Sequence, residues 1–359
     1  MAPARKAAEQ AGVTRLADIT RLDRIGLPVW QAIRPASKAL CVHQGKGASI
    51  ADAQLGALLE AVESHAAENF VATGVSASWQ SLNSNQRPAQ IADFARDRHN
   101  APDVGTETVW IEAERADGGI LMVPEPCVSL DFTRDKSSRF ERVSAGLSTG
   151  STLADARRAA LLELIERDAV NRFDQGDYFA RLACELDEGT VSFDWLADLR
   201  ERLGSLGIDL RLFAAPSPTG VPVFIAAVSE DAKVARPYAG TVGHAAHPDP
   251  EIALFQAVAE AIQSRLTYIA GSRDDCWPWD YEGRRGITMA LAPPPAVGID
   301  QVDFSQITPV DSGSNDLVAR LYQTGVKETA FLTIAQPESF FVVRAFAPGL
   351  GSLERAPRS

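Results

Sequence analysis

A helix signature that occurs three times, each with a glutamate at the same place, constrains this chain more than any other feature. Its fullest form starts at Thr152, an N-cap with Asp155 three residues on, and continues along an apolar face of Leu161, Leu162 and Ile165. Glu163 and Glu166 fall one turn apart and share a face of that helix. Ser49 with Asp52 makes the same start, followed by Ala53, Ala57, Leu58, Glu60, Val62 and Glu63. Asp249 before Pro250, a favoured first helical residue, makes a third, followed by Ala253, Ala257, Val258, Glu260, Ile262 and Gln263. In each copy the first glutamate lies eleven residues after the cap, and alanines lie four and eight residues after it, the central pair being Ala156 and Ala160.

The small residues predict three helices packed closely against one another or against a sheet. Each presents Glu-x-x-Glu or Glu-x-x-Gln at one height. Taken alone, such a pair reads as a solvated helix face; three copies at one offset argue for a site. Glu60, Glu63, Glu163, Glu166 and Glu260 would repel one another unless positive charge stood among them. Hard divalent cations suit that role, and magnesium shares its oxygen ligands with phosphates, so a triphosphate facing these helices is expected.

Composition narrows the classes. At 359 residues and 45% hydrophobic content the chain can build a sizeable core. A net charge of −12 argues against nucleic-acid binding, whose mark is a basic stripe or patch. Cys41, Cys127, Cys184 and Cys276 lack the spacing of a zinc site or redox pair and read as reduced, mostly buried thiols. No run approaches the roughly 18 apolar residues of a membrane span, and the N-terminal dozen lacks a signal-peptide core, so a cytoplasmic protein is expected.

Residues 1–13 read as a loose or helical lead. Apolar alternation around Val29 and Ile33 predicts a strand, and a second from Ala39 to His43 runs into Gln44, Gly45, Lys46 and Gly47. That glycine loop before a helix could cradle phosphate with its amides and lysine, although it lacks the P-loop spacing. Residues 72–105 read as loops with a short helix at 91–98, and strands from Thr108 and Gly119 form a hairpin across 117–119. Small residues at 144–150 open the central helix as a turn that a nucleotide could approach. An amphipathic helix at 195–206, strands from Leu210 and Val221, and an Ala-rich loop at 240–247 follow; its His244 and His247 are not expected to bind metal. The stretch 276–297, with Trp277, Trp279 and the triple proline 293–295, reads as an exposed excursion. A helix at 314–324 and strands at 329–334 and 340–346 close a single mixed α/β (α+β) domain over 14–350, with a tail at 351–359.

Together the run at 20–29, Gly45-Lys46-Gly47 with Glu60 and Glu63, the run at 144–150 with Glu163, Glu166, Arg167 and Asp168, Glu260 with Gln263 and Arg265, and Gly271 with Arg273 resemble the YcaO family. The resemblance runs from about Thr14 to Gly349. It implies a YcaO-like fold, sheets flanked by helices with the three glutamate helices around one nucleotide site. It also implies an ATP-dependent enzyme in which a nucleophile adds to a peptide amide carbonyl, ATP phosphorylates the oxyanion, and phosphate leaves. Carried over by motif, Glu60, Glu63, Glu163, Glu166 and Glu260 hold magnesium. Lys46, Ser144, Gln263 and Arg265 contact ATP, with Arg21 and Arg273 as further contacts, and Glu163, Glu166 and Arg265 carry catalysis. Gly56 and Ser64 stand where members usually have Ser and Arg. The ending Leu-Glu-Arg-Ala-Pro-Arg-Ser lacks the proline-rich tail of azoline-forming members, and no peptide-recognition domain is appended. Both features look like the members that act with a sulfur-delivering TfuA partner, so a thioamide is the expected product. An azoline-forming cyclodehydratase and a non-catalytic peptide-binding scaffold are the alternatives. The resemblance further suggests a homodimer.

Overall fold

The computed structural model describes residues 1–97, 100–134, 138–230, 240–281, 298 and 300–350. The stretch 282–297 with its triple proline, Arg98 of the expected short helix, and the tail lie outside the described residues.

The lead is a helix, α1 (Ala2–Gln10), whose Ala4, Ala7 and Ala8 are buried. Strands β1 (Arg15–Asp18), β2 (Val29–Ile33) and β3 (Val42–Lys46) form an antiparallel meander that feeds α2 (Ile50–Glu68). Next come β4 (Val75–Ser78), β5 (Glu107–Arg115), β6 (Ile120–Pro124) and β7 (Leu147–Gly150), which leads into α3 (Leu153–Gln175). The short α4 (Tyr178–Leu182) and α5 (Asp194–Ser205) precede a second meander, β8 (Ile208–Ala214), β9 (Val223–Glu230) and β10 (Gly240–Ala246), which feeds α6 (Pro250–Ala270). After α7 (Pro278–Tyr281) and α8 (Ser314–Gln323), β11 (Ala330–Ala335) and β12 (Phe341–Phe346) complete a six-stranded sheet ordered β4-β5-β11-β12-β7, with β6 also paired to β5. The architecture is the expected mixture of helices and antiparallel sheets.

Each glutamate helix directly follows a strand at the edge of its sheet: β3 before α2, β7 before α3, β10 before α6. The caps work as the spacing predicts. Ser49 accepts the amide of Asp52, Thr152 that of Asp155, and Asp249 those of Glu251 and Ile252. A glycine in each strand lets the chain pack onto its own helix. A Cβ on Gly45 would stand 2.1 Å from Ala53 O, one on Gly150 2.3 Å from Ala156 N, and one on Gly243 2.1 Å from Ala261 N. Ala53, Ala57, Ala156 and Ala257, four or eight residues after their caps and fully buried, supply much of the other side of these contacts.

The same packing explains where local reading and structure part. Residues 240–246 are a strand and not a loop, Leu147–Gly150 is a strand and not an opening turn, and Gln44, Gly45 and Lys46 end β3. Glycine and alanine disfavour strands locally, but here they are required by the helix lying against them. The short helix expected at 91–98 is a single 3₁₀ turn, Ile91–Phe94.

Candidate functional site

The edge position of the strands leaves main-chain N–H groups free to meet the glutamates. Gln44 N–H of β3 donates to Glu60 at 2.8 Å, and Thr149 N–H of β7 donates to Glu63 at 2.7 Å. Gly146 N–H favours the charged form of Glu163. His244 of β10 bridges the other two, with Nδ1 2.7 Å from Glu166 and 3.4 Å from Glu260. Lys46 Nζ lies 2.7 Å from Glu260. The carboxylates thus form a closed circuit of electrostatic neighbours. Glu260 acts on Glu60, Glu60 and Glu163 on Glu63, Glu166 on Glu163, and His244 links Glu166 back to Glu260.

Their protonation follows from position. Burial pushes Glu63 up to about 8, reinforced by the charges of Glu163 and Glu60. Burial pushes Glu163 up to about 7 against the pull of Arg167, and it also raises Glu60. Glu260 is lowered: burial opposes its charge, but Lys46 and His244 outweigh it. For His244, burial favours the neutral ring, yet the Glu166 and Glu260 carboxylates raise it.

Glu60, Glu166 and Glu260 line a cavity of about 700 Å³, together with Lys46, Gln263 and Arg273. Glu63 and Glu163 stand behind them in the circuit. The expected contacts Ser144 and Arg21 are exposed and do not line this cavity. Arg265 does not line it either. It is 2% exposed, with Nε 2.7 Å from Asp23 and Nη2 2.5 Å from Glu230, and joins α6 to the segment after β1 and to the end of β9. Arg273 pairs with Asp275 at the cavity edge. Gly56 lines the cavity close to Gly45, where a Cβ would stand 3.3 Å from Gly45 Cα, and Ser64 faces His43.

In the sequence Arg167 has a place in the motif but no role, His244 is set aside as a metal ligand, and nothing points to the main-chain donors. Arg167 lines the cavity and lies 3.6 Å from Glu163 one turn back on α3, a spacing visible in the sequence. The donors carry no side-chain signal at all.

Among the described residues no group of three or more His, Cys, Asp or Glu is drawn together tightly enough to hold a metal ion as it stands. The donor chemistry nonetheless fits a hard cation. The circuit is built of carboxylate oxygens, and Glu63 and Glu163 are raised by burial and by like charge, as carboxylates are when too little positive charge is near.

The sequence profile of the YcaO cyclodehydratases, described as ATP- and Mg2+-binding, matches residues 44–351. A protein of Rhizobium leguminosarum bv. trifolii, called an uncharacterized protein in the tfuA 3′ region, is 30% identical over 94% of this chain and 84% of its own length. The solved structure of YcaO from Methanopyrus kandleri bound with AMPPCP and Mg2+ superposes with a TM-score of 0.71 at 21% identity, covering 96% of this chain and 88% of that one. A heterocyclase in complex with substrate and cofactor gives 0.74 at 19% identity over 97% of this chain, which spans about half (52%) of the heterocyclase chain. The chain belongs to the YcaO family of ATP- and Mg2+-binding proteins.

Proposed function

We propose that the protein uses ATP and magnesium to phosphorylate a backbone amide oxygen of a peptide, and that sulfur then replaces that oxygen to give a thioamide. The observation that carries the reading is the circuit of Glu60, Glu63, Glu163, Glu166 and Glu260 from three strand–helix units beside one polar cavity. In this reading the five glutamates hold magnesium, which neutralises charge on the phosphates. Lys46, Gln263 and Arg273 face the nucleotide from the cavity wall. Arg265 acts from behind the wall through Asp23 and Glu230.

Hydrosulfide adds to the amide carbon, the carbonyl oxygen takes the γ-phosphoryl group, and phosphate departs with that oxygen. ADP, phosphate and thioamide are the products. The relative named for the tfuA region favours this product and a TfuA-type sulfur-delivering partner. Likeness to a heterocyclase supports the second reading, attack by a Cys, Ser or Thr side chain to give an azoline.

The test is ATP consumption by the purified protein with magnesium and the peptide encoded beside its gene, with and without sulfide, with product mass read in parallel. A sulfide-dependent gain equal to sulfur minus oxygen supports thioamidation. Loss of one water establishes the azoline reading instead, and ATP turnover indifferent to peptide would sink both.

A further inference from the structure

Arg344 of β12 is a charged residue in an apolar setting that the reaction scheme does not use. It is 3% exposed, and its guanidinium bonds two main-chain carbonyls: Nη1 donates to Val128 O at 3.2 Å and Nη2 to Val143 O. Nε has no partner, and burial pulls the group down to about 10. A buried guanidinium held this way is a costly core residue compared with an apolar side chain of similar volume. Its surroundings indicate what it does.

Val143 begins the segment that reaches Gly146. Arg344 holds the first end of that segment, and the next residue, Ala345, holds the other, donating its N–H to Gly146 O at 2.7 Å. Gly146 has φ +77°, and a Cβ there would stand 2.6 Å from Ala345 O, so only glycine fits the clamp. The result is a Gly146 seated on α3, where a Cβ would stand 3.1 Å from Cδ2 of Leu164, the neighbour of Glu163.

We propose that Arg344 is a positioning residue of the site: through Val143 it fixes the segment whose Gly146 packs against α3 beside Glu163. The role rests on the reading that Glu163 serves a metal–nucleotide site. Arg344→Lys keeps the charge and loses the two-pronged bond; Arg344→Gln keeps a donor and loses the charge.

The experiment measures Mn2+–AMPPCP binding by electron paramagnetic resonance and amide hydrogen exchange over residues 143–150 in wild type and both variants. Supporting Glu163 from outside the ligand shell predicts binding weaker by about 10–100-fold in Arg344→Gln, partial recovery in Arg344→Lys, and faster exchange at Gly146 in both. A folded variant with wild-type binding and wild-type exchange overturns the proposal. So does loss of folding in both variants, which would make Arg344 a core residue only. Wild-type protein that binds no Mn2+–AMPPCP would refute the functional reading alone, since the exchange measurement needs no metal and still decides whether Arg344 holds the segment.

Discussion

Lys46 Nζ lies 2.7 Å from Glu260 Oε2, so the strand of the first strand–helix unit is tied to the helix of the third across the cavity. The two side chains are 24% and 28% exposed, and water screens their attraction. Lys46→Met should therefore change folding stability by no more than about 1 kcal/mol. It should weaken Mg2+–ATP binding roughly tenfold or more, because a charge-assisted bond to phosphate is lost. Calorimetric titration beside urea unfolding separates the two effects.

Glu63 and Glu163 make stability depend on pH in a defined direction. Their folded values, about 8 and about 7, lie above the ordinary 4.5. A group raised on folding contributes stability that is complete below its unfolded value and is lost as pH rises through the folded one. In EDTA, the melting temperature should fall between pH 5 and pH 8, and Glu63→Gln should flatten that slope. An unchanged slope in the variant would show that Glu63 is not the group responsible. Added magnesium should restore wild-type stability at pH 8 and do little for Glu63→Gln.

The glycines test the strand–helix packing. Gly45→Ala and Gly243→Ala each place a methyl about 2.1 Å from main-chain atoms of their helix, which cannot move aside as a side chain could. Each should cost about 3 kcal/mol or prevent folding, measured by urea denaturation. Gly118→Ala is the comparison: nothing lies within 4 Å there, and the loss should come only from its φ of +88°.

Arg265 distinguishes support from contact. Removing it leaves the 5%-exposed Asp23 side chain without its ion-pair partner and Glu230 with only Arg24 at 3.9 Å, so Arg265→Met should destabilise by about 3 kcal/mol. Gln263→Ala, at the cavity wall, should leave stability within about 1 kcal/mol and raise the Kd for Mg2+–ATP. Urea unfolding and nucleotide titration of the two variants give opposite patterns if Arg265 acts from behind the wall.

The parts of the site legible in the sequence are those written in local periodicity. The cap-to-glutamate offset, the alanines and the Glu-x-x-Glu spacing all lie within single helices, and the structure brings Glu60, Glu63, Glu163, Glu166 and Glu260 into one circuit. What escaped is set by distant chain. Thr149 N–H meets Glu63 across 86 positions, and His244 meets Glu166 across 78. His244 was further hidden because Gly240, Gly243, Ala245 and Ala246 carry no strand signal; Gly243 is required by contact with α6, which only the folded chain supplies. Arg344 stands in an otherwise apolar strand and gives no sign of the segment it holds.

The most direct measurement is calorimetric titration of the purified protein with AMPPCP, with and without magnesium, in wild type and in Glu163→Gln and Glu63→Gln. The account predicts binding that requires magnesium and is lost or weakened at least tenfold in both variants, since each removes one oxygen donor from the metal set. Binding indifferent to magnesium, or unchanged in both variants, would contradict the assignment of the five glutamates to a metal–nucleotide site.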